Sequence, residues 1–369
     1  MAATALLLAL GLAGGGCYRP SPPPRPRQNL PKLDFHTHYF RAPTSLVPLL
    51  EDWNMRAVLI NYTNGESPDS VRRRWERMVA LANAHPGRFI LCTTIDPRGA
   101  GSPGFAARAV AQLRRDIEDG AELVKIWKDF GMEARGEAGQ FLQVDDPRFQ
   151  PIWDFLAAQR IPVIAHLADP AAAWQPIDST SPHYWYYRDN PRYYAYAHTE
   201  MPSRAAILAA QDAWLRRNPQ LTVIGAHLAS MAEDLDSLSL RLDAFPNLSV
   251  DLAGRIKVLR EEPKDRVRAW LLRYSGRVLY GSDMELDPVP AGKPTPAAAA
   301  DAEFVHGRLL RDWEYLADTL AIPDSTLAQL MRRNAERVLA QADSARARML
   351  GAPADIAREP SLSRPARSR

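Results

Sequence analysis

An α/β fold, with a parallel sheet inside and helices outside, is what this chain of 369 residues predicts, on three observations. Short apolar or β-branched runs recur eight times along it. Stretches with helical periodicity fill most of the intervals between them. Most of the runs are apolar on both faces, as strands covered on both sides must be. Eight strands alternating with helices suggest a sheet closed on itself, so the architecture expected is a TIM-type (β/α)₈ barrel.

Each element follows in order. "ALLLALGLAGGGC" ends at Cys17 and is too short to cross a bilayer, which marks residues 1–17 as a signal peptide. The run resembles a bacterial lipoprotein signal, with Cys17 lipidated. That implies an exported protein, periplasmic or membrane-anchored, whose contact with the membrane is the anchor alone. Read instead as a cytoplasmic extension, the segment would leave the protein inside the cell. "YRPSPPPRPRQNLP", residues 18–31, reads as an extended Pro-rich linker. The barrel domain is expected over 32–342.

The eight runs are "LDFHTH", "RAVLIN", "RFILCTTI", "AELVKIW", "IPVIAHL", "LTVIGAHL", "NLSVDL" and "RVLYGSD". Between them lie helical stretches such as "SVRRRWERMVALANAH" and "SRAAILAAQDAWLRRN". Two insertions break the rhythm. Residues 168–202 follow the fifth run, hold Trp174, Trp185 and six of the twelve tyrosines, and read as a lid or substrate wall. "LDPVPAGKPTPAAAA" follows the eighth and reads as a flexible loop before two final helices, and residues 343–369 read as a disordered tail.

The net charge of +3 owes much to arginines in the two tails, so nucleic-acid binding is not indicated. With Cys17 lipidated, Cys92 has no disulfide partner and reads as a small buried hydrophobe. No phosphate-binding loop and no G-x-S-x-G elbow occurs.

The histidines carry the functional signal. His36 and His38 end the first run, His166 the fifth and His227 the sixth, while Asp283 ends the eighth. In a (β/α)₈ barrel the carboxyl ends of all strands meet on one face, so these five converge. Residues i and i+2 of a strand point the same way, so both imidazoles of "HTH" aim at the barrel mouth, as a pair of metal ligands requires. A mixed histidine and carboxylate set suits Zn²⁺ or a similar divalent ion. Lys125, Lys128 and Arg255 stand near the ends of the fourth and seventh strands and are candidates for binding a substrate carboxylate. Whether Glu285, His183 and His198 reach the site is left open by the sequence.

"DFHTH", "IPVIAHL", "VIGAHL" and "YGSD" resemble the amidohydrolase superfamily, in its amidohydrolase-related branch that includes aminocarboxymuconate-semialdehyde decarboxylase. The likeness runs from about residue 32 to about 341, where "RRNAERVL" is similar to that branch's closing helix. It implies a metal held by His36, His38 and Asp283, with His166 a further ligand. His227 would bind a second metal or act as an acid/base group. One ion is favoured, with two if Lys125 is carboxylated, as in the two-metal branches.

Two reactions fit these residues. In the first, metal-activated water cleaves an amide, ester or lactone of a small molecule, with Asp283 moving the proton. In the second, the metal and Arg255 or a lysine orient the carboxylate of an aromatic or conjugated acid, and CO₂ leaves. Export favours the hydrolase, because an exported enzyme meets scavenged or envelope compounds. A non-catalytic envelope binding protein on the same barrel is a third reading, which the presence of Asp283 disfavours. The sequence leaves oligomeric state open.

Overall fold

The computed structural model describes residues 26–41, 45–181, 183–286 and 297–349. Residues 1–17, on which the expected signal peptide and Cys17 fall, most of the segment read as a linker, the centre of the second insertion and the last twenty residues lie outside these.

One all-parallel sheet contains β1 (Lys32–Tyr39), β2 (Met55–Ile60), β3 (Phe89–Thr94), β4 (Ala121–Ile126) and β5 (Val163–Ala165). It continues through β6 (Val223–Gly225), β7 (Leu248–Asp251), β8 (Val278–Leu279) and β9 (Met284–Leu286). The strand order is β8-β7-β6-β5-β4-β3-β2-β1-β9. β8 and β9 are two pieces of one stave. β8 pairs with β7 and β9 with β1, and between them the Phe35 N–H donates to Tyr280 O at 2.9 Å and the Asp283 N–H to His36 O at 2.8 Å. The sheet therefore closes, and each of the eight predicted runs supplies one stave.

Two apolar layers hold it. Leu33, Val58, Ile90, Leu123, Ile164 and Ile224 fill the interior, where Ala335, Val338 and Leu339 of the closing helix Asn334–Met349 join them. A larger layer packs the outer faces against helices such as Pro68–Ala84 and Arg204–Arg217, each started by a serine cap, Ser67 and Ser203. Cys92 is buried and free, as expected.

Two boundaries differ from expectation. The closing helix runs to Met349, past the expected domain end at 342, and a helix begins at Ala297 inside the segment read as loop. Alanine-rich and Arg/Ala-rich sequence is good helix material even where its apolar period is weak. Among the described residues, no helix is long and apolar enough to cross a membrane.

Candidate metal centre

Both histidines of β1 owe their direction to a break in the strand. Asp34 lies opposite Ala57, yet Thr37 lies opposite Leu59, so three steps on β1 match two on β2. Such a bulge reverses the inward and outward alternation beyond it. Leu33 and Phe35 point into the barrel below the break, and His36 and His38 point in above it. The buried Asp34 carboxylate supports this turn, accepting the backbone N–H of Ser282 at 2.9 Å and of His36 at 3.3 Å.

Each imidazole is then oriented by its Nδ1. That of His36 meets Asp251 Oδ2 at 2.8 Å, and that of His38 meets the Ile60 carbonyl at 3.1 Å. A proton held by each Nδ1 in those bonds leaves the lone pair on Nε2, where that of His36 also faces Lys125 Nζ at 3.2 Å. Both Nε2 atoms face Asp283 Oδ1, at 3.6 and 3.8 Å. Ligand bonds to zinc are about 2.0–2.2 Å, so donors on either side of one ion stand up to ~4 Å apart, and this triad fits. Burial, then the neighbouring His36 and Lys125, hold His38 well below the usual imidazole pKa, so it is neutral as a ligand must be. Gly281 makes the approach of the eighth stave feasible, since a Cβ there would lie 2.8 Å from His36 Cβ.

His227 does not end a strand. β6 stops at Gly225, and His227 opens a left-handed turn in which it, Leu228, Ala229 and Ser230 have φ of 58°, 57°, 51° and 62°. Non-glycine residues pay for that conformation with strain, which the surroundings must hold in place. Asp251 Oδ1 accepts the His227 N–H at 2.7 Å, the His227 Nδ1–H donates to Ala253 O at 2.8 Å, and the Ser230 hydroxyl donates to Ala168 O. Gly225 permits the fold-back, since a Cβ there would lie 2.5 Å from Ala229 Cβ. His227 Nδ1 stands 3.9 Å from Asp283 Oδ2, and burial followed by His166 and Arg255 keeps the ring neutral.

His166 packs its ring edge against His227, with centroids 4.4 Å apart, but does not belong to the groups of donors that converge on one point. Both its ring nitrogens are buried without a hydrogen bond, and burial lowers its pKa to about 3. Lys125 Nζ lies 3.2 Å from His36 Nε2, at the metal triad itself, and burial lowers it to about 8. Lys128 departs from expectation. Its ammonium is fully buried, donates to both Asp169 oxygens at 2.9 and 3.1 Å and to the Tyr186 hydroxyl at 2.7 Å, and lies over the Tyr193 ring. A cation so satisfied has nothing left for a substrate, and its role is to tie the aromatic insertion to β4.

A cavity of about 470 Å³ opens above the triad. His38, His166, His227 and Asp283 line it, and so does Arg255, while Lys125 and Lys128 do not. The insertion forms one wall with His183, Tyr186 and Tyr187, as predicted of it, and Glu285 reaches the site, accepting from the Tyr62 hydroxyl at 2.5 Å. His198 lies outside this cavity lining, with Nε2 against the Pro191 carbonyl. Sequence reasoning missed Asp251, which orients His36 and pins the His227 turn together. Burial works to raise its pKa, but His36 and Lys125 outweigh it and hold it below the usual carboxylate value. It closes "NLSVD", so the strand-end rule that found Asp283 applied to it equally.

No curated protein matches this chain. Among solved structures, 2,6-dihydroxybenzoate decarboxylase from Rhizobium is similar, at 13% identity and a TM-score of 0.48, covering 84% of this chain and 98% of that one. So is 4-oxalomesaconate hydratase from Rhodopseudomonas palustris, at 16% identity and a TM-score of 0.49, covering 86% and 98%. The family model described as Amidohydrolase matches residues 57–341, from β2 to the closing helix. It begins beyond β1, so the assignment of His36 and His38 stands on their own geometry. On that match the chain belongs to the amidohydrolase family, a family of metal-dependent enzymes.

Proposed function

We propose that this protein hydrolyses an amide, ester or lactone of a small molecule, using one divalent ion, zinc by its donor set, held by His36, His38 and Asp283. The observation that carries the reading is the convergence of His36 Nε2, His38 Nε2 and Asp283 Oδ1 beside a cavity of ligand size. An ion held there supplies Lewis acidity, which acidifies a water and polarises a substrate oxygen.

The side chains do the rest. Asp283 is 32% exposed on its side chain and faces the cavity, so it takes the proton of the attacking water and passes it to the leaving group. His227, whose Nδ1–H is committed to Ala253 O, presents an Nε2 lone pair, so it accepts and orients a proton and does not donate one. His166, whose buried ring nitrogens make no hydrogen bond and whose Nε2 stands 3.6 Å from Asp169 Oδ1, completes the donor set as a fourth ligand or holds the substrate. Tyr186 and the buried Tyr187 form the outer wall of the cavity.

Decarboxylation is the second reading, favoured by Arg255, which lines the cavity where it would orient a carboxylate. We further propose export with a lipid on Cys17, which mass spectrometry of the membrane fraction tests. The function is tested by plasma-emission metal analysis of the full chain and of His36→Ala and Lys125→Ala, followed by assays on esters, lactones and aromatic carboxylates. About one ion per chain, lost in the histidine variant only, with ester or lactone turnover, supports the hydrolase. A second ion lost in Lys125→Ala moves the site to a two-metal carbamate, CO₂ release without ester turnover moves the reaction to decarboxylation, and absence of metal under all loading conditions overturns the proposal.

A further inference from the structure

Away from the metal triad, the cavity carries two cations that no carboxylate among the described residues pairs with. Arg255 and Lys257, in the segment after β7, both line it, Arg255 half-buried and Lys257 at the exposed rim. Among the described residues neither has a carboxylate within ion-pair distance. The one hydrogen bond of the Arg255 guanidinium is a 3.4 Å contact with the carbonyl of its neighbour Gly254. Other cations nearby are provided for: Lys128 has Asp169 at 2.9 Å, Arg308 has Asp312 at 3.4 Å, and Arg41 has Asp301.

The aromatic insertion adds two more groups. The Tyr187 hydroxyl is buried with no hydrogen-bond partner, and His183 lines the same cavity. His183 is lowered first by burial and then by Arg255 and Lys257, so the insertion's histidine feels both cations. Two like charges that repel each other and lack a counter-ion, beside an orphaned hydroxyl, are what a site for an anion looks like when no anion is present.

We propose that Arg255 and Lys257, with His183 and the Tyr187 hydroxyl as further donors, bind an oxyanionic group of the substrate, a carboxylate or phosphate that is retained in the reaction. The proposal rests on the cavity being the substrate site and specifies what that substrate carries. The planar guanidinium offers a two-pronged match to an oxyanion, and the lysine a compact charge at the rim. The bond to be broken then lies toward Asp283, and the anionic end toward the insertion.

The test is thermal-shift titration of the zinc-loaded full chain with succinate and with inorganic phosphate, at ionic strength held constant with chloride. Saturable protection of the wild-type protein, weakened about tenfold or more in Arg255→Met/Lys257→Met, supports the subsite. Whichever anion binds more tightly identifies the oxyanion. Equal protection of wild type and double variant places the anion elsewhere, on the metal included, and overturns it, as does the absence of saturable protection by either. Should the double variant melt early without anion, Lys257→Met alone, at the rim, gives the same comparison with a smaller expected loss, and an unchanged affinity there removes Lys257 from the site. Metal content and ester turnover are read separately, so a protein that binds the anion but hydrolyses nothing sinks the hydrolase reading and leaves the subsite standing.

Discussion

Two fully buried lysines stand at opposite ends of the barrel. At the amino end Lys32 donates to the carbonyls of Leu30 at 2.8 Å, Trp53 at 3.0 Å and Gln28, and lies between the rings of Trp53 and Trp313 at 5.4 and 5.1 Å. At the carboxyl end Lys125 has a histidine nitrogen at 3.2 Å and the Trp127 ring at 5.7 Å. Burial lowers Lys32 to about 7 and Lys125 to about 8, with Asp251 and Asp283 holding up the charge on Lys125. At the amino end the Lys32 ammonium has its acceptors in the protein, and the closing helix plugs the barrel there with Val338 and Leu339. The carboxyl end leaves His166 and the Tyr187 hydroxyl without hydrogen bonds and turns the His36 and His38 Nε2 atoms toward Asp283. Buried polar groups are costly when unpaired, so unspent capacity collected at one end marks where a ligand belongs.

Substitutions at the two ends should separate cleanly into function and stability. The largest effect is expected for Asp283→Asn, which keeps the shape and removes the proton acceptor. Turnover should fall by about 10²–10⁴-fold while the melting curve stays within a degree or two of wild type. Steady-state kinetics beside a thermal melt decide it, and a drop in melting temperature that matches the lost activity would erase the contrast. Leu339→Ala is the converse. It opens a cavity under the barrel floor and should cost about 2–5 kcal/mol in urea unfolding, with metal content per folded molecule unchanged.

Asp251→Asn sharpens the comparison, since Asp251 is buried but serves the open end. Metal affinity should fall by about 10–100-fold, because His36 loses the carboxylate that orients it. Competition with a chromogenic chelator measures this, and unaltered affinity would show that the His36 orientation comes from packing alone. The smallest effect is expected for Lys32→Met, which leaves buried carbonyls without a donor and should cost about 1–3 kcal/mol of stability, with metal binding and turnover untouched.

Much of this was legible beforehand. All eight staves were, because a strand buried on both faces writes its apolar run into consecutive residues. So was the placement of His36, His38 and Asp283 at the mouth, because ending a strand in a barrel is enough to reach it. Lys128 was misjudged because its partner Asp169 lies 41 residues further on, in a loop whose path no local pattern dictates. The His227 turn was hidden for a related reason: four left-handed residues have no sequence signature when none of them is glycine, and they persist through Asp251 and Ala253 on the neighbouring strand.

The sequence by itself determined the alternation of strand and helix, the count that closes the barrel and which ligand types stand at strand ends, since each of these is a local property of side-chain period and type. Only the tertiary structure decided which nitrogen of each histidine is free, where β1 bulges, which lysines are already spent and which cations remain unpaired. Those depend on atoms brought from other strands to within about 3 Å, the range over which hydrogen bonds form and burial sets charge.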